Sequence, residues 1–220
     1  MEPHDPALKI KAARLLRRFA QIYPDPRCGL EFQDAFELLA ATVLSAQCTD
    51  ARVNLVTPAL FARFPDAKAL AAAVPAEVEG LIRPTGFYRG KARHLIGLAT
   101  AIVERHSGEV PPELDALTAL PGVGRKTAHV VLGNAFGIAS GVVVDTHVKR
   151  LAFRLGLTAR TDPVRVEQEL AALVPKSRWI IFPHWLISHG RRICTALRPR
   201  CGECPLATLC PKHGVTPKPP

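Results

Sequence analysis

Four cysteines, Cys194, Cys201, Cys204 and Cys210, stand within seventeen residues near the end of the chain, spaced C-x6-C-x2-C-x5-C. A group this dense must wrap its segment around one centre, so whatever the thiols hold shapes that part of the fold. Structural zinc sites usually present two short Cys/His pairs around a tetrahedron, whereas here one short pair is flanked by unequal gaps. An iron–sulfur cluster tolerates unequal gaps because its corners are separate attachment points. Two disulfides would need an oxidising compartment, and the opening Met1-Glu2-Pro3-His4-Asp5 lacks the basic and apolar regions of a secretory signal. The spacing thus favours an iron–sulfur cluster over zinc, and zinc over disulfides. Cys28 and Cys48 stand alone and read as small apolar packing residues.

The remainder of the chain has helical periodicity. Leu8, Ala12, Leu15, Leu16, Phe19 and Ile22 recur three or four apart behind Asp5-Pro6, a cap followed by a first-turn proline. The first helix is predicted from Pro6 to Gln21. Further helices are predicted over 35–44, 50–64, 67–74, 76–82, 89–105, 113–120, 125–136, 146–155, 163–174 and 179–192. Pro58 should kink or divide the helix over 50–64. Only Gly141-Val142-Val143-Val144 reads as a strand, and one short extended piece cannot make a sheet. The fold class is therefore all-α, with a Pro-rich tail from His213 that is expected to fray.

Arginine far outnumbers lysine in a chain of 220 residues with formal net charge +10. That excess points to a polyanionic partner, since guanidinium groups match phosphate oxygens in bidentate fashion. No apolar run approaches the length of about 18 residues that a membrane span requires, so no membrane partner is expected.

The stretch Leu117–Ala128 joins two predicted helices through Pro121-Gly122-Val123-Gly124. Glycine allows close backbone approach, and the N-terminus of the second helix favours an anion, so the turn can seat a nucleic-acid phosphate. A P-loop would need glycine directly before lysine, and Arg125 intervenes. A dinucleotide fingerprint would need a glycine at Thr127 and a preceding strand. The plain alternative is a helix–helix corner that uses glycine only to turn. Lys126, on the first turn of the second helix, reads by position alone as a surface charge. Asp145, in Val144-Asp145-Thr146-His147, reads as the N-cap of its helix, and His147 as a polar residue of the first turn.

Taken together, Leu44-Ser45-Ala46-Gln47-Cys48-Thr49-Asp50, the hairpin 120–128, the stretch 144–147 and the four cysteines give the chain a resemblance. It resembles, over nearly its whole length and with the motifs in order, the endonuclease III family of helix-hairpin-helix DNA glycosylases and abasic-site lyases. The resemblance implies two helical domains flanking a DNA-binding groove. One is a six-helix domain over 28–139 with the helix-hairpin-helix motif; the other, formed by 1–27 and 140–220, bears the iron–sulfur cluster. The implied cofactor is a [4Fe–4S] cluster on Cys194, Cys201, Cys204 and Cys210. Lys126 would attack the sugar and Asp145 would assist from the opposite wall. Gln47 and Phe87 would fill the stack vacated by an extruded base; Gly122, Gly124, Arg125, Arg198 and Arg200 would hold the backbone.

Phe87 departs from the aliphatic residue more familiar in that place, and the alternative is that it packs in the core. A lysine amine of ordinary pKa, about 10.4, is neutral roughly once in a thousand at neutral pH, so burial, Arg125 and the helix dipole are expected around Lys126. The implied partner is double-stranded DNA with a damaged base, an oxidised pyrimidine as in the family, or an abasic site. The implied protein is a cytoplasmic monomer, nucleoid-associated if bacterial. The rivals are a monofunctional mismatch or adenine glycosylase, against which Lys126 argues, and a non-catalytic DNA-binding protein, which the composition allows.

Overall fold

A computed structural model describes residues 5–215, and every regular element among them is helical. The chain divides into two compact units. One comprises residues 28–140 and the other joins 1–27 to 141–220. No helix among the described residues is long and apolar enough to cross a membrane.

The unit of residues 28–140 is built on α2 (Ala35–Leu44), a helix with eight of its ten residues buried. Asp34 starts it by accepting from the Glu37 amide at 2.9 Å, while the Glu37 carboxylate accepts from the Gln33 amide at 2.7 Å. Reciprocal bonds of this kind satisfy amides that have no partner inside a helix. α2 packs against α3 (Asp50–Arg63), α6 (Tyr88–His106) and α8 (Arg125–Phe136), while α4 (Ala67–Ala71) and α5 (Pro75–Ile82) lie on α6 and α7 (Leu114–Thr118) lies on α8. Leu38, Leu39, Leu44, Leu60, Leu95 and Leu98 are wholly buried in this core. Each such side chain contributes about 1.5–3 kcal/mol relative to exposure.

The unit formed by both ends of the chain holds α1 (Pro6–Ile22), α9 (Thr146–Arg154), α10 (Pro163–Leu173) and α11 (Ile181–Arg192). Asp5 caps α1 as its sequence promised, accepting from the Ala7 amide at 2.9 Å, with Leu8, Ala12, Leu15 and Phe19 on the buried face. Phe19 stacks on Trp185 of α11, and the Trp185 indole donates to the Tyr23 carbonyl at 2.9 Å.

Three local expectations are corrected or narrowed. Residues 141–144 form no strand, because no partner strand exists among the described residues; Val142 is buried as irregular chain. Of the two outcomes expected at Pro58, division is excluded, since α3 continues through it. Buried Val53, Val56 and Thr57 before it and Leu60 after it hold both halves to one core, which outweighs the loss of one N–H donor. The segment expected as one helix over 67–74 stops at Ala71, because Pro75 forces Val74 into an extended conformation, φ −73°, ψ 125°. The unit of residues 28–140 has seven α-helices, as many as the sequence periodicity predicts there, with α4 and α5 as separate short pieces.

Replacing wholly buried Leu39 by alanine should cost about 2–5 kcal/mol. Chemical denaturation followed by helical circular dichroism would read this, and a loss below about 1 kcal/mol would contradict the placement of Leu39 at the centre of the core.

Candidate active site and metal centre

The hairpin is held by its apolar residues. Leu117, Leu120 and Val123 are buried, so the turn between α7 and α8 is anchored on both sides while Pro121, Gly122, Gly124, Arg125 and Lys126 are exposed. Its two glycines have different reasons to be there. Gly122 has φ +76°, and a Cβ on it would lie 2.8 Å from the His94 Cβ, so both backbone and packing reject a side chain. Gly124 has an ordinary φ of −91° and nothing within 4 Å of where a Cβ would be. Its missing side chain leaves open space directly before the N-terminus of α8, where an anion is favoured. A Cβ on Gly97, one turn after His94 on α6, would stand 3.4 Å from the Pro121 side chain, so α6 is the seat on which the bend rests.

Lys126 lies on the first turn of α8 and is exposed. The burial expected around its amine is absent, because the buried face of α8 starts two residues later at Ala128. Gln47 and Phe87 belong to the same unit. Both are exposed, Phe87 to 71%, which rules out the alternative that it packs in the core. Both have left-handed backbone, φ +52° and +49°. Phe87 is the N-cap of α6 and makes no side-chain capping bond. A bulky non-glycine residue in this conformation is an outlier of the sort that concentrates at functional sites. Cys28 and Cys48 are half-buried against this unit's core, as packing residues would be.

Asp145 belongs to the other unit. It caps α9, its Oδ1 accepting from the Val148 amide at 2.7 Å, so the plain reading of that residue is correct whatever else it does. His184 is near enough for Asp145 to draw its pKa upward, but burial dominates and lowers it, favouring the neutral imidazole. His147 is more than a polar residue of the first turn: its Nδ1 accepts from the Arg150 guanidinium at 3.1 Å.

The four cysteines line one cavity, about 420 Å³ including its open mouth, together with Arg154, His189 and Pro199. The Cys204 and Cys210 thiols are pushed up in pKa, mainly by burial and further by the neighbouring cysteines. Among the described residues no three His, Cys, Asp or Glu side chains converge closely enough to hold a single metal ion. Four cysteines lining one cavity at unequal spacings along the chain fit a multi-iron cluster better than zinc. When bound, an iron–sulfur cluster supplies positive charge that stabilises all four thiolates and ties the C-terminal segment into one shape.

A layer of polar groups already orients that cradle. The Arg154 guanidinium donates to the Cys194 sulfur at 3.4 Å and to the Thr195 and Ala196 carbonyls at 2.7 and 2.8 Å. Arg150 donates to the Gly190 and Cys194 carbonyls at 3.2 and 3.1 Å. Tyr23 hydroxyl to His189 Nδ1 is 3.0 Å, and His189 Nε2 lies 3.4 Å from the Cys204 sulfur. Burial lowers the His189 pKa to about 4, so the ring is neutral. A tyrosine that donates to Nδ1 places the ring proton on Nε2, facing the sulfur; the opposite tautomer reverses both bonds. None of these residues was singled out in the sequence. The available signal was a cation in a buried helical register: Arg154 is three residues past Leu151 and six past Val148 on the apolar stripe of α9. Arg198 is exposed, whereas Arg200 pairs with Glu203 at 3.5 Å and donates to the Arg192 carbonyl, so its guanidinium is already engaged within the cysteine loop.

Residues 40–176 match the family of HhH-GPD superfamily base excision DNA repair proteins, and residues 194–210, the span of the four cysteines, match the iron–sulfur binding domain of endonuclease III. The endonuclease III of Synechocystis is 54% identical over 92% of this chain and 93% of its own length. The chain belongs to the endonuclease III family. The Escherichia coli K12 endonuclease III is 42% identical over 92% of this chain and 95% of its own length. A trapped endonuclease III–DNA covalent intermediate, an estranged-adenine complex, superposes with a TM-score of 0.88 at 43% identity, covering 93% of this chain and 96% of that one. As a member of that family this protein is a DNA-binding base-excision-repair glycosylase with abasic-site lyase activity, and it carries a [4Fe–4S] cluster.

The two hairpin glycines should separate by mutation. Gly122→Ala should destabilise the fold by about 1–3 kcal/mol through its left-handed backbone and the His94 clash. Gly124→Ala should fold normally yet bind duplex DNA about tenfold more weakly or worse, since the methyl enters the open approach. Melting and fluorescence anisotropy read the two effects, and equal stability losses would contradict the distinction. Separately, Arg154→Ala leaves two backbone carbonyls and a cysteine sulfur without their donor. It should release iron to a chelator about tenfold faster or more than the unmodified protein.

Proposed function

We propose that this enzyme removes oxidised pyrimidines from duplex DNA and then cleaves the strand on the 3′ side, with Lys126 as nucleophile and Asp145 as its carboxylate partner. The observation that carries the reading is an exposed amine on the first helical turn behind a bend whose Gly124 leaves room for a phosphate. Holding the backbone there sets the adjacent sugar within a lysine's reach, which converts an encounter into an intramolecular attack.

In the proposed chemistry the neutral Lys126 Nζ forms a bond to C1′ of the deoxyribose; the bond from C1′ to the base breaks, and the base leaves with the electron pair and gains a proton. The sugar ring opens to a Schiff base between Nζ and C1′. Loss of a proton from C2′ then expels the 3′ phosphate oxygen, and water hydrolyses the imine to free the lysine. Asp145 stabilises the positive charge that develops on sugar and nitrogen and moves protons between them. The neutral His184 beside it does not compete for that negative charge. Gln47 and Phe87 enter the stack, and the hairpin glycines, Arg125, Arg198 and Arg200 contact the backbone. Arg200 is paired with Glu203 within its own loop, and its half-exposed guanidinium keeps further N–H donors for a phosphate. The same reading makes the protein a cytoplasmic monomer that acts on damaged or abasic duplexes, at the nucleoid where the cell is bacterial.

Borohydride reduction on a duplex with one abasic site should trap a covalent adduct that Lys126→Ala abolishes; an undiminished adduct in that variant overturns the assignment. Asparagine also caps helices, so Asp145→Asn keeps α9. It should retain DNA affinity within about threefold while slowing single-turnover base release about a hundredfold or more. A loss of affinity with an unchanged rate would make Asp145 structural only.

A further inference from the structure

Lys91 is a lysine in a core. It is 5% exposed, on the buried face of α6 with Leu95, Leu98 and Ile102. Its ammonium donates to the Leu44 carbonyl at 2.8 Å and to the Thr85 carbonyl at 2.8 Å. Leu44 is the last residue of α2, so its carbonyl is one that the helix itself leaves without a donor. Thr85 ends a 3₁₀ turn over Arg83–Thr85, and its own hydroxyl donates to the Ile82 carbonyl at 2.8 Å. Burial lowers the pKa of Lys91, and Cys48 nearby opposes that fall.

The two accepting carbonyls come from segments far apart in the chain, and a lysine that merely capped α2 would need only the first. Each segment leads within a few residues to an exposed side chain on left-handed backbone: Gln47 lies three residues beyond Leu44, and Phe87 two residues beyond Thr85. Such backbone persists only where its surroundings impose it. One charged group bonded to both approaches imposes a fixed geometry on the pair, because breaking either bond would leave a buried ammonium short of acceptors. The adjoining face of the same helix carries His94 and Gly97, against which the hairpin bend rests.

We propose that Lys91 is the positioning residue that presets Gln47 and Phe87 as a coupled pair of wedges before DNA arrives. The proposal rests on the assignment of those two residues as the ones that enter the stack. Its function is energetic: opening a base stack takes binding energy, and side chains already ordered lose less freedom when they insert. Removing the ammonium should therefore impair opening of the stack more than chemistry on a site whose base is already gone.

The test uses the full-length, cluster-loaded protein and a duplex in which a fluorescent purine analogue faces a stable abasic-site analogue. Wild-type protein should raise the fluorescence as the opposing base is unstacked. Lys91→Met should lose most of that rise and excise a stacked lesion about tenfold more slowly or worse, while borohydride trapping at a natural abasic site falls less than about threefold. Lys91→Arg, which can still reach two carbonyls, should restore part of the signal. Parallel loss of excision and trapping would reduce Lys91 to a packing role and overturn the proposal. If Gln47→Ala and Phe87→Ala both leave the fluorescence intact, the wedge assignment fails; if they abolish it and Lys91→Met does not, the coupling alone fails. Should Lys91→Met not fold, hydrogen exchange in the wild-type protein decides. The bonded amides of Ala46, Cys48 and Gly86 should exchange together and slowly, and free exchange there would overturn the proposal.

Discussion

Where Gly122 presses on His94, two requirements meet in one residue: a left-handed backbone and a contact too close for any Cβ. That contact sets the angle at which the chain leaves α7 and begins α8, and with it the direction of the first amides of α8 and of Lys126. The neighbouring Gly124 then needs no special backbone and serves by absence, leaving the approach open. A phosphate-binding turn of this kind is a rigid fixture only because its underside is packed, here by Leu117, Leu120 and Val123 and by α6. The amine that the proposed chemistry uses is thus positioned by backbone geometry rather than by a pocket around it.

The other unit is organised on a comparable scheme. Asp145 starts α9, and the same helix carries Arg150 and Arg154, which bind the carbonyls and sulfur at the beginning of the cysteine segment. From the far side, Tyr23 and His189 reach Cys204 through a neutral imidazole. The cluster cradle and the carboxylate are therefore fixed to one short helix. This gives the cluster a structural task that needs no electron transfer: whatever orders residues 194–210 also orders the groups that pack against α9.

Much of this was legible in the residues. The spacing of the cysteines, the glycine bend, and the aspartate–proline cap at Asp5 are local signals whose physical cause lies within a few positions. The periodicity of α1 and α6 likewise reports burial on one face. Features that arise from distant pairings were not legible. That residues 141–144 are not a strand depends on the lack of a partner, and that α3 passes through Pro58 depends on its apolar neighbours being held by the core. The exposure of Lys126 and the engagement of Arg200 also belong to tertiary structure. The most informative residue missed, Lys91, did leave a trace: a lysine four residues before Leu95 in an otherwise apolar register, which asks where its charge is satisfied.

Which nitrogen bonds to the sugar decides whether the bend at Gly122 aims a nucleophile or only grips a phosphate. Digestion of the borohydride-trapped complex with peptide mass spectrometry locates that nitrogen directly. The nucleotide remnant should map to the peptide containing Lys126 and, on fragmentation, to its side chain. A remnant on another lysine, or on the α-amino group of the chain, would contradict the assignment and leave the bend as a DNA-binding device alone.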